Sequence, residues 1–278
     1  MAGRPRPAGK PPLANGNCRA NAFPMRILTT TMALSASLFC LPAYAIVGGG
    51  TPSNEGVARA VVTIVGSRGN FCSGALIAER LVLTVAHCVQ PGATYKILQY
   101  GADKKPLLRE VKAVAIHPSF DIQAMLAHRA TADVALLQLE AQPSGRTTAM
   151  IGVPQIPLVA GNHFTIAGVG VTIRGDGSSA GTIRAASLVA TGQPGTLQIR
   201  LVDPITQGAR AGLGACTGDS GGPVYDDRQG GAVAIIGVIS WSTGPNGSAG
   251  CGGLTGVTPL TRYRDWILQT ARQWGFAQ

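Results

Sequence analysis

The segment Ala215-Cys216-Thr217-Gly218-Asp219-Ser220-Gly221-Gly222-Pro223 places a serine hydroxyl on a glycine-rich turn. Gly218, Gly221 and Gly222 permit backbone angles closed to other residues, so the N–H groups of Gly218 and Ser220 can point together at one developing oxyanion. That suits a nucleophile attacking a carbonyl. Taken alone, the string also has the composition of an ordinary Gly-rich surface turn. Two upstream segments weigh against the plainer reading. Thr84-Val85-Ala86-His87-Cys88 follows the apolar run Leu81-Val82-Leu83, which reads as a strand delivering a histidine to its end. Asp133-Val134-Ala135-Leu136-Leu137-Gln138-Leu139 is a mostly apolar strand with one carboxylate at its entrance, and a buried carboxylate wants a partner. Singly, His87 reads as a strand-end histidine and Asp133 as a turn or cap residue. Jointly with Ser220 they supply base, orienting acid and nucleophile.

The strings TVAHC, DVALL and CTGDSGGP, in the order His, Asp, Ser, resemble the trypsin and chymotrypsin family of serine proteases, in its secreted, bacterial-type form. The order separates the chain from subtilisins and α/β-hydrolases. The resemblance extends to Ile46-Val47-Gly48-Gly49, Ala167-Gly168-Val169-Gly170, Ser240-Trp241 and Asp265-Trp266-Ile267, and covers Ile46 to about Phe276. It implies that Ser220 attacks the scissile carbonyl, that His87 takes and returns the proton, and that Asp133 orients the imidazole. It makes the N–H groups of Gly218 and Ser220 the oxyanion hole, where loss of one donor costs about 3 to 4 kcal/mol. No cofactor is implied.

Many short β-branched runs lie between Gly, Pro and Asp turns, including 60–65, 81–85, 111–116, 164–167 and 234–239, an all-β pattern. Only 262–274 has helical spacing, with Trp266, Ile267, Thr270 and Trp274 on one side. The resemblance supplies the arrangement: two six-stranded antiparallel β-barrels and a C-terminal α-helix, with the site between the barrels. The first barrel is expected over about 46–141, a Pro/Gly linker over 142–157, the second barrel over 158–261 and the helix over 262–276.

The first 45 residues contain five Arg or Lys and no acid, and no charged side chain occurs from Ile27 to Asn54. Met25-Arg26, an apolar stretch to Leu41 and Pro42-Ala43-Tyr44-Ala45 form a signal-peptide pattern over 25–45 with cleavage after Ala45. Residues 1–24 then read as a dispensable extension or a start codon placed too early, with Met25 the start. A membrane anchor is the alternative, spoiled by Pro42 and Gly48-Gly49-Gly50. A lipoprotein signal at Cys40 meets bulky Phe39 where a small residue is expected. The new terminus, Ile46, matches the family's activated N-terminus, and the resemblance pairs its α-amine with Asp219; breaking such a buried pair costs about 3 to 5 kcal/mol.

Cys72, Cys88, Cys216 and Cys251 remain after such cleavage, an even number suited to an oxidising compartment. The resemblance pairs Cys72 with Cys88 and Cys216 with Cys251, the first bridge being worth about 3 kcal/mol on the loop-entropy model. A zinc site is the competing use, without CxxC spacing or a His pair to support it. No structural metal is expected, since 90–110 lacks paired carboxylates. The whole chain carries a formal charge of +10, much of it in the leader, and the remaining mild excess reads as solubility without a basic helix for nucleic acid. The expected state is a secreted monomer without a stable membrane anchor, meeting protein or peptide substrates and proteinaceous inhibitors.

The resemblance also places the primary pocket. Its floor falls at Gly214 and its walls at Ser240, Trp241, Ser242 and Gly256. Without an acid at Gly214, a substrate cation meets no counter-charge, so cleavage is expected after Phe, Tyr, Leu or Met ahead of Arg. The nine residues from Ser242 to Gly250 form a longer loop than usual, able to reshape the rim or touch substrate. His117, His128 and His163 are expected to be structural or solvent-facing, and Arg174-Gly175-Asp176 to be a chance adhesion-like string. Two other function classes fit the same chain: a silent binding or adhesion module, and a serine esterase.

Overall fold

The computed structural model describes residues 46–101, 103–192, 197–229 and 234–276. The expectations for the extension, the signal peptide, its cleavage after Ala45, Cys18 and Cys40 lie outside the described residues. After strand β1 (Thr51–Pro52), six strands close the first barrel: β2 (Val61–Gly66), β3 (Phe71–Ala78), β4 (Leu81–Thr84), β5 (Tyr95–Tyr100), β6 (Pro106–Ile116) and β7 (Ala135–Leu139). Their order is β2-β3-β4-β7-β6-β5, with β5 returning to β2 and every pair antiparallel. Leu76, Leu81, Leu83, Ile97 and Leu137 are fully buried. Closure removes the exposed edges that an open sheet of such apolar strands would present.

A short helix α1 (Ile122–Leu126) precedes β7, its first turn closed by Asp121, whose Oδ1 accepts from the N–H groups of Gln123 at 2.8 Å and Ala124 at 3.1 Å. The expected linker contains β8 (Met150–Ile151). The second barrel is built from β9 (His163–Gly168), β10 (Arg184–Ala190), β11 (Ile199–Val202), β12 (Pro223–Asp226), β13 (Ala234–Ser242) and β14 (Thr255–Pro259), running β9-β10-β11-β14-β13-β12 and back to β9. Two short strands lie outside this ring: β1 antiparallel on β10, and β8 parallel to β13 with Met150 opposite Ala234. Phe164, Ile166, Leu188, Ile199, Val224 and Val257 fill its core, together with Ile46.

The strand runs seen in the sequence correspond to β2, β4, β6, β9 and β13, but β6 begins at Pro106, five residues before the expected Val111. The extension carries exposed Leu107 and Leu108. Pairing of Tyr100, Gln99 and Leu98 with Pro106, Leu107 and Leu108 holds it in place, a partner that no local pattern reveals. The terminal helix α2 (Arg264–Gln273) follows a 3-10 turn and buries Ile267, Thr270 and Ala271. It packs on the first-barrel core, whose buried cluster continues through Tyr225, Ile235, Val238, Leu260, Ile267 and Ala271. His117 stands edge-on between Tyr263 at 5.1 Å and Trp266 at 5.0 Å, and burial lowers its pKa. No helix among the described residues is long and apolar enough to cross a membrane.

Candidate active site

Strand pairing brings Asp133 and His87 together. β4 ends at Thr84 opposite Ala135, so the turn carrying His87 and the entrance to β7 carrying Asp133 meet at one end of the first barrel. Asp133 is fully buried, and its Oδ1 accepts the His87 main-chain N–H at 3.0 Å while Oδ2 lies 2.8 Å from His87 Nδ1. With Nδ1 held as the donor, a neutral His87 ring presents Nε2 unprotonated towards the cleft. A third donor comes from the other barrel: Ser240 Oγ donates to Asp133 Oδ2 at 2.5 Å. Three hydrogen bonds to one buried carboxyl group fix its position. The sequence placed Ser240 only on a pocket wall, because nothing local links positions 107 residues apart.

Ser220 sits half-buried on the turn that faces His87, and both line one cleft of about 420 Å³. Among the described residues no hydrogen bond joins its Oγ to the His87 ring, although both line the same cleft. The carbonyls around it are all tethered. Thr217 O accepts from Val171 N–H at 2.9 Å, Asp219 O from Gly222 N–H at 2.9 Å and Ser220 O from Ser73 N–H at 2.8 Å. In a planar trans peptide the N–H points opposite to the preceding C=O. Tethering Thr217 O and Asp219 O therefore aims the N–H groups of Gly218 and Ser220 away from those anchors. Gly218 adopts φ +95°, a conformation favouring glycine. At Gly221 a Cβ would run into the Ser73 carbonyl and the Thr84 hydroxyl, so only glycine lets the two barrels approach this closely.

Asp219 points inward. Its carboxylate accepts from Gly170 N–H at 2.8 Å and Cys216 N–H at 2.9 Å. A Cβ on Gly170 would lie 2.6 Å from its Cγ, which accounts for glycine there. Burial pushes the Asp219 pKa up to about 7, outweighing the two N–H donors and the nearby positive charge of Arg184. Ile46 is fully buried among the second-barrel side chains, and Val47 bridges to Gly214, whose N–H donates to Val47 O at 3.2 Å.

Of the expected pocket residues, Ser242 lines the open cleft. Gly214 is buried with Gly252 Cα against the place of its missing side chain. The Trp241 ring lies directly over Gly256, stacked on His128 at 4.5 Å and capped by Arg200 at 5.7 Å. His128 thus packs on a cleft neighbour. The long Ser242–Gly250 loop is pinned at Ala249, whose carbonyl accepts from Arg174 Nη1 at 2.8 Å, and at Asn246, whose N–H donates to Gly208 O at 2.9 Å. Arg174 also lines the cleft, a placement that its Gly/Ser-rich surroundings hid in the sequence. Asp176 of the same tripeptide binds its own loop through Ser178 N–H at 2.9 Å.

Disulfides join Cys72 to Cys88 and Cys216 to Cys251, one beside His87 and the other beside the Ser220 turn. Cys72, Cys88 and His87 also form the metal-like cluster among the described residues, but sulfurs bonded to each other offer no thiolate.

Two closed six-stranded barrels with a Ser, a His and an Asp gathered at one cleft define a chymotrypsin-like fold. The trypsin family model matches residues 47–267. Trypsin 5G1 of Aedes aegypti is 30% identical over 243 residues, covering 81% of this chain and 85% of that protein. Human kallikrein-8 is 28% identical over 218 residues, covering 71% and 75%. Among solved structures, human heparin binding protein superposes with a TM-score of 0.62 at 24% identity, over 84% of this chain and 100% of that one, a likeness of fold. The chain belongs to the trypsin family of serine proteases. It is a serine-type endopeptidase acting on protein or peptide substrates. These relatives are animal proteins, so the bacterial-type qualifier gains no support from them.

Proposed function

We propose that this endopeptidase works through Ser220, His87 and Asp133, cleaving after apolar residues once Ile46 is freed by signal peptidase. The observation that carries the reading is the fully buried Asp133 gripping His87 at both its main-chain N–H and its Nδ1 beside Ser220. Ser220 Oγ attacks the scissile carbonyl carbon while His87 Nε2 takes the hydroxyl proton. The carbonyl oxygen becomes an oxyanion, held by the N–H groups of Gly218 and Ser220. Collapse breaks the C–N bond as His87 delivers its proton to the leaving amine, giving an acyl-enzyme. A water, deprotonated by His87, then releases the acid and restores the serine.

An apolar preference is supported by the lack of any carboxylate at Gly214 and by Arg174, a cation on the cleft wall disfavouring Lys and Arg side chains. Activation by N-terminal trimming is supported by Asp219, a buried carboxylate with two N–H donors and an incomplete counter-charge. A freed Ile46 ammonium supplies that charge. The enzyme is accordingly exported, monomeric, free of a membrane anchor and open to proteinaceous inhibitors. The test is hydrolysis of a mixed peptide library by protein with an Ile46 terminus and by its Ser220→Ala variant. Cleavage after bulky apolar residues by the first alone is expected; undiminished cleavage by the variant would remove Ser220 from the mechanism, and faster cleavage after Arg would reverse the pocket reading. An absence of peptide cleavage with ester hydrolysis retained would favour an esterase.

A further inference from the structure

We infer that Ser73 is a positioning residue for the oxyanion hole, reaching from the first barrel to hold the Gly218 peptide of the second; this rests on the oxyanion reading above. Ser73 lies within β3 and is fully buried. Its hydroxyl donates to Gly218 O at 2.8 Å and accepts Val169 N–H at 3.0 Å. Its main-chain N–H donates to Ser220 O at 2.8 Å and its carbonyl accepts Thr84 Oγ1 at 2.9 Å. A serine hydroxyl has one proton to give, so its direction is settled: with Val169 N–H as donor, the Ser73 proton goes to Gly218.

The consequence lies in the two peptide planes that flank Gly218. The Thr217–Gly218 plane, which carries the oxyanion donor, is held by Val171 N–H on Thr217 O. The Gly218–Asp219 plane is held by the Ser73 hydroxyl on Gly218 O and by Asp219 N–H on Cys216 O at 3.0 Å. A glycine between them rotates freely unless both planes are anchored. Ser73 also anchors Val169, two residues before the Val171 that holds Thr217. Removing one hydroxyl therefore loosens the donor from both sides, while His87, Asp133 and the cleft wall keep their contacts.

The test compares the mature enzyme with Ser73→Ala in kcat and KM on a peptide amide. It adds affinity for a peptide boronic acid, which forms a tetrahedral adduct with Ser220, and for the matching peptidyl alcohol, which forms none. The expected result is a loss of about tenfold in kcat and in boronate affinity, with KM and alcohol affinity within about twofold. Tyr225→Phe, which removes the hydroxyl contact of Tyr225 to Val57 O at 3.2 Å without touching Ser73 or the Ser220 turn, serves as the stability control and is expected to keep its boronate affinity. Should Ser73→Ala not fold, Ser73→Gly removes the same hydroxyl without adding bulk and is expected to lose boronate affinity selectively. Unchanged boronate affinity in the folded Ser73 variant, or equal loss of boronate and alcohol, overturns the proposal. A parent enzyme that binds the boronate no better than the alcohol would sink the oxyanion reading, and this role with it.

Discussion

Asp219 offers a quantitative handle on activation. Extending the chain by Ala45 before Ile46 replaces the free α-ammonium by a neutral peptide and leaves the buried carboxylate with a pKa of about 7 against an ordinary value of 3.8. A folded-state pKa above the unfolded one means that the folded protein holds the proton more tightly. The associated stability is present in full below the unfolded value and is lost as pH rises through about 7. Three units correspond to about 4 kcal/mol, an upper figure for a group closed to solvent. On the proposed activation, the ammonium of the protein beginning at Ile46 pairs with the carboxylate and removes most of that loss. Urea unfolding of the Ser220→Ala forms, which cannot digest themselves, between pH 4 and pH 7 isolates the effect, since all other carboxylates are common to both. The extended form is expected to lose stability relative to the Ile46 form across this window by up to about 4 kcal/mol, and Asp219→Asn in the extended form to flatten the difference. Parallel stability curves for the two termini, or an extended form that gains stability as pH rises, would refute the reasoning.

Ser240→Ala leaves the buried Asp133 carboxyl group one donor short, and a buried hydrogen bond is worth about 0.5 to 3 kcal/mol; a kcat reduced by about tenfold with a nearly unchanged KM is expected from steady-state kinetics. Arg174→Glu reverses the cleft-wall charge and frees Ala249, so cleavage after Lys or Arg relative to Leu should rise by about two- to fivefold at low salt and less at high salt. An unaltered ratio at both ionic strengths would take Arg174 out of substrate selection.

His87, Asp133 and Ser220 were legible as candidates because each stands beside a local signal: a strand ahead of His87, a strand after Asp133 and glycines around Ser220. Ser73 carried no such signal. It lies among small residues of β3, and its importance arises from bonds to Gly218 and Val169, 145 and 96 positions away. The pocket was read less well for a related reason. A motif position names Gly256 and Trp241, but whether the indole turns outward or lies over the glycine depends on His128 and Arg200, supplied by distant loops. Arg174 was set aside as part of a chance tripeptide because its partner, Ala249, belongs to the loop whose length made it unreadable.

By itself the sequence determined the family motifs and the material of the scaffold: Ser, His and Asp strings in one order, cysteines in an even set, short β-branched runs and one terminal helix. These are properties of residue type and of spacing within a few positions, where sterics and hydrophobic period act directly. The tertiary structure alone decided the partners of each buried polar group, from Ser240 on Asp133 to Ser73 on Gly218. A hydrogen bond requires sub-ångström placement of two groups, and that placement is set by the closure and packing of both barrels, which no local stretch of chain contains.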